Sequence, residues 1–144
     1  MADWSREIDF AWKAPVLATE AMHQFWAGAW ERAREIADES NAYPIEGTMA
    51  GMETATLMLV LANAGDPSAR SRMDELQPRV CRAGQENQIG AWYAGMAMLQ
   101  AAATLGLRDR CAALYDCTVQ LDAVGTHIVW DLGLVEKHSA IAAA

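Results

Sequence analysis

The sequence has few basic residues and lacks the motifs of nucleotide-binding enzymes. Its 11 Lys and Arg are outnumbered by 19 Asp and Glu, the net charge is −8, and the basic residues are scattered along the chain. A protein that neutralises nucleic-acid phosphates needs a concentrated basic patch, so direct nucleic-acid binding is not expected. No Gly-x-x-x-x-Gly-Lys phosphate-binding sequence occurs either.

Long apolar runs and paired cysteines are also scarce. The longest strongly apolar run, residues 55–62, is far shorter than the roughly 20 residues that span a bilayer. Residues 1–7 contain acidic side chains and lack the apolar centre of a signal peptide. The cysteines Cys81, Cys111 and Cys117 are odd in number, and no Cys-x-x-Cys occurs. We therefore expect a cytoplasmic protein whose thiols are buried and act as small apolar side chains.

Alternating β-branched runs are nearly missing, and the composition favours helices. Ala, Met, Leu, Glu and Arg, which are good helix formers, dominate, and 144 residues suffice for one ordinary core. Apolar residues recur at helical spacing, as in Ala69, Met73, Leu76 and Val80. The pattern predicts helices near residues 4–11, 15–28, 30–41, 48–64, 67–83, 87–105, 108–123 and 127–142. Pro78 predicts that the fifth kinks or ends early, and Thr126 is expected to cap the last.

A short pattern occurs three times, around the glycines Gly28, Gly65 and Gly106. Each glycine follows an Ala-rich or Met-rich stretch and precedes a charged amphipathic stretch. The glycines are 37 and 41 residues apart, a period typical of stacked helical hairpins. The sequence therefore predicts an all-α fold in which antiparallel hairpins stack as a short α-solenoid of about seven helices.

The Gly106 unit resembles a tetratricopeptide repeat. As in that family, a small residue (Cys111) stands five positions after the glycine, and an aromatic residue (Tyr115) stands nine positions after it. The Gly28 unit keeps the small residue but has Ala37 instead of the aromatic, and the Gly65 unit is one residue shorter. The chain thus resembles a degenerate tetratricopeptide-repeat protein, with a short N-terminal helical segment at 1–13 and a repeat domain at 14–144.

From about residue 14 onward, the chain also resembles the C-terminal helical-repeat arm of bacterial LuxR-type ATPase regulators and of nucleotide-cyclase/ATPase fusions. Segments 26–36, 64–67, 112–115 and 125–134 carry this resemblance in their order. It implies a non-catalytic scaffold for protein–protein interaction or self-association, either the repeat arm or a stand-alone relative of a signalling or transcription regulator. Two alternatives stay open: a regulatory fragment of a nucleotide-cyclase/ATPase system acting in trans, and a closed helical bundle that binds a small apolar ligand.

Candidate catalytic and metal-binding residues are few. Glu20 and His23 have the Glu-x-x-His spacing of di-iron carboxylate bundles, but such a site needs a second copy, and neither His127 nor His138 follows a Glu by three residues. No local sequence supports a Cys–His or Ser–His–Asp nucleophile. We predict a solvated or hydrogen-bonded helix-face pair at Glu20 and His23, with no catalytic residue, cofactor or metal.

The six tryptophans and eight methionines suggest where a partner would bind. Most should lie in the core, but tryptophans near turns or the N-terminus and a methionine cluster are candidates for contact with a partner. The candidate interface residues are Trp4, Trp12, Trp30, Met49, Met52 and Trp130. Because residues 141–144 lack a polar cap, we also expect a homo-oligomer. The expected partner is another protein or a second copy, rather than nucleic acid, a membrane or a small molecule.

Overall fold

The computed structural model describes residues 12–144, which form an all-α chain with helices packed in pairs. Its helices are α1 (Lys13–Trp26), α2 (Trp30–Asn41), α3 (Met52–Asn63), α4 (Ala69–Leu76), α5 (Ile89–Thr104), α6 (Arg108–Ala112), α7 (Tyr115–Ala123) and α8 (Val135–Ala143). Short 3₁₀ segments lie at Gly47–Met49, Gln77–Arg79 and Trp130–Leu132, and β1 (Ile128–Val129) pairs antiparallel with β2 (Gly133–Leu134). Within residues 12–144, no helix has both the length and the apolar character needed to cross a bilayer.

The three predicted turn glycines end α1, α3 and α5. Gly28, Gly65 and Gly106 have φ angles of 79°, 71° and 68°, in the left-handed region that favours glycine. In each turn the residue after the glycine donates its N–H to a carbonyl five residues earlier, as Asp66 does to Leu61 at 2.9 Å. This is the Schellman arrangement, which satisfies carbonyls at the helix end and reverses the chain. The turns predicted from the sequence are confirmed.

Helices α3 and α5 form the centre of the core. Every residue from Met52 to Ala62 is buried, and so is every residue from Tyr93 to Ala102. Helix α1 packs on α2 and α3, α4 packs on α3, and α3 packs closely on α5. Helices α6 and α8 pack on α5, and α7 packs on α8. The start of α5 approaches the backbone of residues 49–50 so tightly that a Cβ on Gly90 would lie 2.5 Å from the Ala50 carbonyl oxygen.

Several predicted helix boundaries require correction. The helix predicted at 67–83 ends at Leu76, and Pro78 lies in the following 3₁₀ segment, which confirms the expected early end. The single helix predicted at 108–123 is wrong, because α6 ends at Ala112 and α7 begins only at Tyr115. The helix predicted at 4–11 lies outside the described residues.

The last helix begins later than predicted, at Val135 rather than at residue 127. Residues 127–134 contain the short antiparallel ribbon of β1 and β2 and the 3₁₀ turn between these strands. Thr126 therefore does not cap the helix. The reason is tertiary. The Val135 N–H donates to the His127 carbonyl at 3.0 Å, and the Gln100 side chain of α5 donates to the Leu132 carbonyl at 3.0 Å. These bonds replace those that a continuous helix would make.

Candidate functional site

Trp130 has a strained backbone and an accessible indole. Its φ is 41°, and no other non-glycine residue in the range 12–144 has a positive φ. For a bulky residue this conformation costs about 1–3 kcal/mol, and it persists only where surrounding contacts impose it. Here the Trp26 Nε1–H donates to the Asp131 carbonyl at 2.9 Å, and Gln100 holds the Leu132 carbonyl. The segment is therefore fixed between α1 and α5, with the Trp130 side chain 50% exposed.

Two grooves flank Trp130. The methionine groove has a volume of about 300 Å³ and is lined by Trp12, Pro15, Val16, Thr19, Glu20, His23, Met49, Met52 and Trp130. The isoleucine groove has a volume of about 440 Å³ and is lined by Ile89, Trp92, Tyr93, Leu121, Val124, Thr126, Ile128, Val129 and Trp130. Because Trp130 lines both, the two grooves form adjoining parts of one surface.

This surface is predominantly apolar. Trp12 is 52% exposed, and Ile89, Val124 and Ile128 of the isoleucine groove are also exposed. Glu20 is the one carboxylate among the described residues that line the two grooves. Contiguous apolar surface rimmed by polar residues is typical of sites where a protein binds a partner or a ligand.

The structure brings together four of the six predicted interface residues. Trp12, Met49, Met52 and Trp130 all line the methionine groove, where the two methionines are nearly buried and form its floor. Trp30 is 46% exposed but lies outside both grooves, with its ring edge-on to Phe25 at 4.8 Å between centroids. Trp4 lies outside the described residues.

A buried carboxylate directly follows Trp130 in the chain. Neither oxygen of Asp131 is accessible to solvent, and the Tyr93 hydroxyl is the polar side chain that acts on this carboxylate among the described residues. Burial raises the pKa of Asp131 to about 6, although the nearby Tyr93 hydroxyl acts in the opposite direction. Burial, reinforced by Asp131, raises the pKa of Tyr93, whose hydroxyl is 3.1 Å from Thr56 Oγ1. The carboxylate is thus placed where ionisation is costly.

His138 is a buried structural histidine. Its Nε2 is 2.7 Å from Gln100 Nε2, and its Nδ1 is 2.8 Å from the Leu134 carbonyl oxygen. Since the Gln100 amide nitrogen is a donor, Nε2 accepts and Nδ1–H donates, which defines a neutral tautomer. Burial lowers the pKa of His138 and favours the same neutral form. This ring holds β2 and α8 against α5.

The predicted Glu20–His23 pair lines the methionine groove, where Glu20 accepts a hydrogen bond from Gln24 at 2.9 Å. A different set of potential ligand atoms is clustered elsewhere. Those of Asp122, His127 and Glu136 lie within 4.8 Å of one another, all on exposed side chains. The turn after α7 and the ribbon bring them together, so no helical spacing in the sequence indicates this cluster. Their exposure is typical of a solvated charge cluster at the surface.

Sequence reasoning missed Asp131 and the isoleucine groove. Ile89 and Tyr93 fall on one helical stripe in the sequence, yet Ile89 is exposed while Tyr93 is buried. Val124 and Ile128 flank a turn with no regular spacing, so they gave no periodic signal. The missing information is the path of residues 127–134, which depends on contacts with α1 and α5.

Comparison with protein-family models, with curated proteins and with solved structures finds no match in any of the three.

Proposed function

We propose that this chain is a non-catalytic helical-repeat scaffold that binds another protein through the apolar surface around Trp130. The observation that carries the proposal is that Trp12, Met49, Met52 and Trp130 share one groove, with a second apolar groove beside it. Tryptophan is enriched among the residues that dominate binding energy, and methionine adapts its shape to a partner. A strained backbone that presents an indole to solvent fits a binding role better than a packing role.

The packing of the helices supports a short stack of hairpins. Helices α1, α3 and α5 pack on one another in order, and each is followed by a left-handed glycine turn and a helix that packs back on it. In a tetratricopeptide-like arrangement, neighbouring hairpins bury apolar faces that one hairpin cannot bury alone. Under this proposal the chain is the repeat arm, or a stand-alone relative, of a bacterial signalling or transcription regulator.

The occupant we propose is an amphipathic helix of a partner protein, with basic residues flanking its apolar face. An apolar groove suits the helix-in-groove mode, in which side chains one helical turn apart act as anchors. Glu20 lines the methionine groove, and the whole chain carries a net charge of −8. Such a surface attracts basic partners and repels acidic ones, which affects both the association rate and specificity.

The test uses a defined probe, an amphipathic helical peptide of Leu and Lys about 18 residues long, long enough for several anchor positions. Isothermal titration calorimetry should show saturable binding to the wild-type protein. Trp12→Ala and Trp130→Ala should each weaken binding about tenfold, the loss expected for an interface anchor. Trp30→Ala is the matched control, because Trp30 is similarly exposed but lies outside both grooves.

The outcomes separate the competing occupants. Equal weakening by Trp30→Ala, or equal binding of a Leu and Glu peptide of the same length, would contradict a specific site for a basic helix. If sedimentation of the protein alone shows a dimer that Trp130→Ala dissociates, the surface belongs to a second copy. A native mass spectrum with a bound apolar small molecule that Trp130→Ala removes would favour a ligand site instead.

A further inference from the structure

Cys81 and Cys117 are distant in the sequence but adjacent in the structure. Cys81 lies in the loop before α5, Cys117 lies in α7, and both side chains are buried. The Cys117 thiol donates to the Cys81 carbonyl oxygen at 3.4 Å, and both cysteines line the same cleft. Cys111 lies in α6 with its sulfur 3.9 Å from the Leu99 carbonyl oxygen, so it offers an internal control.

The two segments that carry the pair are already held together. The Cys81 N–H donates to the Ala91 carbonyl at 3.0 Å, which ties the loop to α5. Gln120 of α7 accepts from the Gly84 N–H at 2.8 Å and donates to the Gln85 carbonyl at 3.3 Å. A bond between the two sulfurs would therefore join segments that these hydrogen bonds already hold side by side.

An open cleft gives access to the pair. It has a volume of about 640 Å³, and its lining includes Cys81, Cys117, Arg82 and Arg110 together with Asp109 and Asp116. Arg110 pairs with Asp74 through Nη2, while its buried Nη1 has no hydrogen-bond partner among residues 12–144. The two arginines and two aspartates that line the cleft balance in charge. The volume of the cleft is large enough to admit a small polar oxidant.

The environment distinguishes the two thiols. The side-chain hydrogen bond from Cys81 lowers the pKa of Cys117 to about 7, and the backbone N–H of Ala83 acts in the same direction against burial and Asp116. The same hydrogen bond and burial raise the pKa of Cys81 far above its usual value. Because the thiolate is the reactive form, these directions favour Cys117 as the nucleophile and Cys81 as the resolving thiol.

We propose that Cys81 and Cys117 form a modification site at which hydrogen peroxide closes an intramolecular disulfide. The Cys117 thiolate attacks one peroxide oxygen, so an S–O bond forms, the O–O bond breaks and hydroxide leaves as water after taking up a proton. The Cys81 sulfur then attacks the Cys117 sulfenic acid. The S–S bond forms, the S–O bond breaks, and the hydroxide released takes the Cys81 proton as a second water. Two thiols are oxidised by two electrons, and one peroxide is reduced.

The experiment treats the reduced full-length protein with an equimolar amount of hydrogen peroxide, followed by alkylation and mass spectrometry. The expected product is a monomer lighter by two hydrogens that retains one thiol. Digestion with trypsin and chymotrypsin, which cleave after Arg82 and Tyr115, separates Cys111 from Cys117. A linked Cys81–Cys117 peptide pair should appear, with Cys111 alkylated. Cys111→Ser should behave as the wild type, whereas Cys117→Ser should yield no linked peptide.

Three results would overturn the proposal. These are loss of the Cys111 thiol as fast as the other two, oxygen adducts on Cys117 without a linked peptide, and linkage only between two copies of the chain. Because peptide mapping of the wild type is decisive by itself, the proposal remains testable even if Cys117→Ser does not fold.

Discussion

The hairpins of residues 13–104 and the C-terminal region of residues 105–143 acquire their structure in different ways. In the hairpins, four of the five helices (α1, α2, α3 and α5) are 12 to 16 residues long and satisfy most of their backbone hydrogen bonds internally, while α4 has eight residues. In the C-terminal region, α6, α7 and α8 have five, nine and nine residues. There, side chains of α1 and α5 hold the segment with Trp130. The hairpins act as a platform that imposes the conformation of the candidate binding surface.

The largest effect is expected where two backbones of the platform meet. Gly90→Ala places a Cβ 2.5 Å from the Ala50 carbonyl oxygen, so the backbone must move and stability should fall by about 3 kcal/mol. Gly125→Ala in the C-terminal region meets open space and bears only its left-handed φ of 80°, at a cost of about 1 kcal/mol. Urea denaturation measures both. Equal losses would show that the platform is no more tightly packed than the C-terminal region.

Asp131→Asn should stabilise the protein in a pH-dependent way. The pKa of Asp131 is about 6 in the folded chain, against an ordinary value of 3.8. Between these values the folded state binds more protons than the unfolded state, so the Asp131 contribution to stability falls as pH rises from about 4 to about 6. Below that window the carboxyl is neutral in both states, so its burial does not reduce the free energy of unfolding. Above that window the free energy of unfolding is reduced by the full cost of burying the charged carboxylate.

Because the residue as a whole is only partly buried although its carboxylate oxygens are not accessible, we expect the Asn variant to be more stable by about 2 kcal/mol at neutral pH and equal to the wild type near pH 4. Urea titrations across this range measure the difference. A constant difference at all pH values would mean that ionisation of Asp131 is not what the substitution relieves.

The smallest effect is expected at the contact that joins the first helix to the C-terminal region. Trp26→Phe removes the indole N–H that donates to the Asp131 carbonyl and should cost about 0.5 to 1 kcal/mol, since the bond lies at an exposed position. Hydrogen exchange should show reduced amide protection at residues 127–135. Trp30→Phe is the control, because no hydrogen bond of the Trp30 indole occurs within the described chain. If both variants exchange alike, α1 does not hold this segment.

Local patterns predicted the platform well. The helix expected at 30–41 matches α2 to the residue, and the stripe Ala69, Met73, Leu76 and Val80 is buried. Most tryptophans are expected in the core, yet Trp26 is 54% exposed and its indole donates a hydrogen bond to the C-terminal segment. The sequence indicates Trp130 as a candidate interface residue but places it in an α-helix, whereas it lies in a 3₁₀ turn before the last helix.

The sequence alone determines one part of this structure, and tertiary contacts determine another. The helices of the platform and their glycine turns follow from the sequence alone, because helical hydrogen bonds link residues four apart and only glycine adopts a left-handed φ at little cost. The path of residues 127–134 and the two grooves were decided by the tertiary structure. The tertiary structure also decided the proximity of Cys81 and Cys117. Their defining contacts, from Trp26 to Asp131, from Gln100 to Leu132 and from Cys117 to Cys81, span 105, 32 and 36 residues. No local pattern encodes such separations.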